Sequence, residues 1–190
     1  LDAPMNIELT VLADGLTKNH GFNKGPWKGT EAVFVASDAG VMAVMPPQKG
    51  EKDWTTEVVF DFPVSDVAAI DLDGDGEVEF ALLSPFHGSQ FDLYKKVDGV
   101  YKSVLKYDKE QDFYHAINAG MLNGKPTFVI GARKDPMDLF MVQYDDASKD
   151  FKSILVESGV GSANARIINT ENGDFIMSAN RQIDQAAIYK

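Results

Sequence analysis

The chain has 190 residues, 44% of them apolar, with no cysteine and a net charge of -11. That apolar content suffices for a core, whereas the excess of carboxylates repels phosphate backbones and anionic membrane surfaces. The lack of cysteine excludes disulfides, thiolate metal sites and cysteine nucleophiles, and no run approaches the roughly 20 consecutive apolar residues of a membrane-spanning helix. Nucleic acid and membrane are therefore set aside as partners, and the compartment stays open.

In chain order, residues 6–12 (NIELTVL) alternate polar and apolar side chains and read as a strand. A pattern of strands and glycine-bearing turns then recurs. In residues 18–62 an inner strand begins near His20, and the turn glycine Gly29 leads to strands expected at 31–36, 41–45 and 54–60. Residues 63–110 repeat the order from Asp66 through Gly76, with strands expected at 78–83, 91–94 and 101–107. Residues 111–159 repeat it from His115 through Gly124, with strands at 127–131, 139–144 and 151–157. Residues 160–190 begin again at Asn164 and Gly173 but supply only the strands at 175–179 and 186–189.

A period of about 48 residues with four short strands per unit is the signature of a propeller blade. The expected fold class is all-β, a β-propeller of four four-stranded blades, with residues 6–12 completing the last blade. Four units can close as a four-bladed ring, form part of a larger ring, or pair as a homodimer that completes one. Two β-sandwich domains of about 95 residues each are the competing architecture.

Between the first two strands of the second unit lies the turn DLDGDGEVE, which sets Asp71, Asp73, Asp75 and Glu79 at alternating positions. Hard oxygen ligands so spaced suit a structural calcium ion. The turn is not an EF-hand, because strands flank it and the twelfth position is Leu82. The repeat and this acidic turn resemble FG-GAP and VCBS-type propeller repeats.

The opposite face gathers different chemistry. His20, Asp66, His115 and Asn164 each open an inner strand, and inner strands converge on a propeller's central channel. The connections between second and third strands return to the same face, bringing Phe86, His87, Arg133 and Arg181. His20, His87 and His115 are the catalytic candidates, since imidazole exchanges protons near neutral pH. His20, Asp66 and His115 could instead hold a second divalent metal at the channel mouth. Arginines, amides and an aromatic platform suit a carbohydrate or another small polar ligand.

The segments His20-Gly21-Phe22, Phe86-His87-Gly88, Phe113-Tyr114-His115-Ala116 and Gly161-Ser162-Ala163-Asn164 are distantly similar to the propeller of aldos-2-ulose (anhydrofructose) dehydratases. That resemblance implies a metal-assisted carbohydrate lyase or isomerase acting by proton abstraction. Binding of a sugar or small polar ligand without catalysis is the leading expectation, and a protein-interaction scaffold is the third.

Overall fold

Lys28-Gly29, Asp98-Gly99 and Asn123-Gly124 each take positive φ at both positions, the backbone of a two-residue hairpin turn whose twist matches that of the flanking strands. These turns and the alternating apolar segments between them build four antiparallel sheets in the computed structural model, which describes residues 8–190. The first sheet holds β1 (Phe22–Trp27), β2 (Thr30–Ser37), β3 (Gly40–Met45) and β4 (Thr55–Phe60). The second holds β5 (Asp66–Ile70), β6 (Glu79–Ser84), β7 (Gln90–Val97) and β8 (Val100–Lys106). The third holds β9 (Asp112–Leu122), β10 (Lys125–Lys134), β11 (Leu139–Asp145) and β12 (Asp150–Glu157). The last has β13 (Ser162–Thr170), β14 (Gly173–Asn180) and β15 (Gln185–Tyr189), with a single 3-10 turn at Arg181–Ile183. Strands in each sheet follow chain order, as in propeller blades. No helix among the described residues is long and apolar enough to cross a membrane.

Three cores lie between successive sheets. Trp27, Phe34 and Phe60 meet Val67, Phe80 and Leu82 between the first and second. Leu83, Phe91 and Leu93 meet Phe128, Ile130 and Phe140 between the second and third. Ala116, Val129 and Leu139 meet Ala165 and Ile176 between the third and fourth. Inner strand β1 packs along β5, β5 along β9, and β9 along β13, but among the described residues no comparable packing returns from β13 to β1. Four sheets thus pack one after another in chain order, an arrangement consistent with propeller blades, and no ring closure is made among the described residues.

Residues 8–12 differ from the sequence expectation. They are not in a strand and do not extend the last sheet, which remains three-stranded. Instead Leu9, Val11 and Leu12 line one side of a groove whose other side is Phe22, Val33, Val35, Met42 and Val44 of the first blade. Residues 6 and 7 of the expected strand lie outside the described residues.

Candidate functional site

Backbone hydrogen bonds of His20 and of the residues beside His87 and His115 set the positions of the three histidines. The N–H of His20 donates to the Ala36 carbonyl at 3.1 Å, extending the β1–β2 ladder by one step. Gly21 follows because the blades meet here: a Cβ at this position would fall 2.7 Å from the Asp66 Cα. His87 sits in the β6–β7 connection with φ 50°. Its neighbour Gly88 donates to the Pro85 carbonyl at 2.8 Å and accepts from the Tyr114 N–H at 3.0 Å, which ties this loop beside His115 on β9.

The three imidazoles converge. Ring centroids stand 5.1 Å apart for His20–His87, 5.6 Å for His87–His115 and 5.8 Å for His20–His115. One nitrogen from each lies within 4.8 Å of the other two. Phe86 stacks on His87 at 4.1 Å and meets His20 edge-on at 5.5 Å, while Phe113 covers His87 from the third blade at 4.5 Å. His87 Nε2 is buried without a hydrogen-bond partner. His115 Nδ1 lies 2.7 Å from the Ala163 carbonyl; the carbonyl only accepts, so Nδ1 carries the proton and Nε2 the lone pair. Burial first, and then the neighbouring positive charges, hold His87 below the ordinary histidine value. Burial and Arg133 do the same for His115, against the Ala163 hydrogen bond. Both shifts favour the neutral ring.

Next to the histidines a polar pocket of about 270 Å³ is lined by His20, Asn23, Asp66, His115, Asn164 and Arg166. Asp66 Oδ1 accepts from Asn23 Nδ2 at 3.1 Å and from the Val67 N–H at 2.8 Å. Burial outweighs these bonds and the His20 charge and raises its pKa to about 6. Asp66 is therefore a pocket wall, and His87 rather than Asp66 completes the group with His20 and His115. Arg133 packs over the Phe113 ring at 4.9 Å with its Nε buried and unpartnered. Burial, and secondarily the charge of Arg181, lower the Arg133 pKa. Among the described residues the lysines form thirteen ion pairs with carboxylates, and Arg133, Arg166 and Arg181, all the arginines in the chain, form none.

Of the residues expected at this end, His20, Phe86, His87 and His115 meet ring to ring. Arg133 joins them through Phe113, Asp66 and Asn164 line the adjoining pocket, and Arg181, in the 3-10 turn after β14, makes no hydrogen bond, ion pair or ring contact with any of them. Sequence reasoning missed Phe113 and Arg166. Arg166 was accessible to period-two alternation, since it follows Asn164 by two residues, whereas Phe113 reaches the cluster through a positive φ of 61° and the bulge at His115, which alternation does not reveal. No protein-family model matches the chain, and no curated protein matches it.

The acidic turn lies at the far end of the second blade. Asp71 accepts from the N–H groups of Gly74 and Gly76 at 2.8 and 3.0 Å, and Glu79 Oε2 from that of Leu72 at 2.7 Å. Ligand oxygens of Asp71, Asp73 and Glu79 lie within 4.8 Å of one another. A cation of the chain already faces them: Lys95 Nζ reaches Asp73 at 2.7 Å, Asp75 at 2.6 Å and Glu79 at 3.1 Å.

The Asp66 environment gives a pH prediction. Its carboxyl keeps a proton up to about pH 6 when folded but releases it near the ordinary aspartate value of 3.8 when unfolded, so its ionisation removes stability as pH rises through this window. Asp66→Asn retains an oxygen for both donors and does not titrate. Thermal unfolding should show the variant level with wild type near pH 4 and more stable at pH 7.5, by on the order of 2 kcal/mol. A difference that does not change with pH would contradict the burial argument.

Proposed function

We propose that this protein holds a divalent transition-metal ion on His20, His87 and His115 and presents it, beside Arg133 and Arg181, to a small anionic carbohydrate such as a sugar acid. The observation that carries the reading is the convergence of three imidazole nitrogens within 4.8 Å. Zinc–imidazole bonds of about 2.0–2.1 Å put ligand nitrogens about 3.3 Å apart in a tetrahedron, within side-chain adjustment of this arrangement. Three further features support it. His87 Nε2 has no protein partner, the Ala163 carbonyl fixes the His115 tautomer, and neutral rings are the form that binds metal.

Three protein ligands leave a coordination position open, as in metal sites that bind a substrate or water. The adjoining pocket is slightly smaller than drug-sized sites, which begin near 300 Å³, and its wall is polar. Arginines without carboxylate partners among the described residues, in a chain with a net charge of -11, suit the planar carboxylate of a sugar acid.

Asp66 favours a second reading, a carbohydrate lyase or isomerase. A carboxyl with a pKa of about 6 in the pocket is tuned to accept a proton near neutral pH.

Titration of zinc against a chromogenic chelator tests the first reading. Saturation at one ion per chain is expected, followed by a thermal shift with glucuronate that requires the metal and exceeds that with glucose. Absence of saturable zinc binding overturns the metal centre. Equal shifts with glucose and glucuronate overturn the anionic ligand.

A further inference from the structure

The first and last blades carry the two halves of one interface. Aligning the ladders places Val33, Val35, Met42 and Val44 of the first blade at the register of Phe128, Ile130, Phe140 and Val142 of the third. In the third blade these four are fully buried against the second. The first blade therefore presents a face built to receive a preceding blade. At the other end, Met177, Ala179, Ala186 and Ile188 of the fourth blade hold the register of Val129, Gly131, Leu139 and Met141, which face the fourth blade from the third. Here Met177 is 47% and Ile188 62% exposed, whereas Val129 is fully buried.

A polar marker repeats the pattern. Asn23 on β1 donates to the Val67 carbonyl of the second blade at 2.8 Å, and Asn118 on β9 accepts from the Ile167 N–H of the fourth. Arg166 occupies the same register on β13, where Asn23 and Asn118 each reach the next sheet, and lines the pocket beside Asp66. The last sheet is three-stranded among the described residues, so β15 presents an unpaired edge.

We infer that the ends are covered by a second copy of this chain, the fourth blade of each packing head-to-tail on the first blade of the other to make an eight-bladed ring. A second copy bears the matching half of each face, and two chains reach the upper end of the usual four-to-eight blade range. The existing cover of the first blade is loose. Leu9 is 88%, Val11 69% and Phe22 71% exposed, and a groove of about 450 Å³ remains between this segment and the sheet. The segment around Leu9–Leu12 lines the face on which the partner's three-stranded blade would dock and gives way to it.

Sedimentation velocity and light scattering test this. The wild type should have twice the mass of the chain. Met177→Glu combined with Ile188→Glu alters side chains exposed in a single chain, so folding is retained while a charge is buried in the interface, and dimer affinity should fall at least about 100-fold. Val104→Glu, on an outer strand away from both ends, should remain dimeric. A monomeric wild type, an assembly larger than two copies, or a dimer that withstands the double substitution overturns the inference.

Discussion

His87→Ala is expected to weaken zinc binding by about 100- to 1,000-fold while moving the thermal midpoint little. The two effects separate because His87 contributes differently to each. As one of three ligands it supplies a substantial share of the metal's binding free energy, which for zinc sites with more protein ligands amounts to roughly 10–16 kcal/mol. As a packing group its polar nitrogen makes no hydrogen bond, so its removal leaves no protein partner unsatisfied. His115→Ala should lose comparable affinity but cost more stability, since it also frees the Ala163 carbonyl.

The pH profile of binding follows from the same site. Metal and proton compete for the imidazole lone pair, so affinity falls only where the rings protonate. His87 and His115 both lie below the ordinary value of 6.5, so zinc affinity measured by chelator competition should hold as pH drops to about 6.5 and fall in more acid solution. Full affinity lost already between pH 8 and 7 would mean that the rings are not held neutral by their surroundings.

The blades were legible because their determinants are local. Two-residue turns with glycine at the second position fix hairpins, and period-two alternation fixes which side of each sheet is buried. Closure was not legible in the same way. Residues 6–12 read as a strand by alternation, yet alternation states only that one face is apolar and does not select the sheet that buries it. Leu9 and Val11 line a groove with Val33 and Val35 instead of pairing with β15. The histidines show both situations. His20 and His115 share a repeat position, so their meeting was readable; His87 enters the cluster through the turn of Pro85–Gly88, a conformation that composition alone does not define. Lys95 is a related case. The ladder pairs Tyr94 with Phe80, which brings Lys95 level with Glu79, but the acidic run considered by itself suggests an external cation.

Lys95→Met should therefore destabilise the protein by about 3–5 kcal/mol, the usual loss when one member of a buried ion pair is removed. Glu79 is fully buried, and Asp73 nearly so. Burial pushes the Glu79 carboxyl up despite its bonds to Leu72 and Lys95. Burial opposes the Lys95 ammonium as well, but its bonds to Asp73, Asp75 and Glu79 prevail and hold its pKa above the ordinary lysine value. Its contribution is thus not lost to deprotonation of Lys95 below about pH 10.5 and weakens only in acid, where its carboxylate partners protonate. In the variant, Glu79 can escape its isolation only by protonating, so the loss should be largest at neutral pH and smaller near pH 4. At pH 7 a loss of this size lowers the thermal midpoint by on the order of 10 °C.

Calcium then distinguishes what the turn is built to hold. Oxygens now 2.6 to 3.1 Å from Nζ need move inward by only a few tenths of an ångström to reach calcium–oxygen distances of about 2.3–2.6 Å. In the wild type the ion must first displace an ammonium with three charged partners, whereas in Lys95→Met that position is filled by an uncharged methyl group and the carboxylates repel one another. Millimolar calcium should accordingly raise the midpoint of the variant well above its calcium-free value and raise the wild type less. An equal rise in both would mean that Lys95 yields readily and that calcium is the turn's ordinary occupant; no rise in either would mean that the turn holds its own ammonium and no metal.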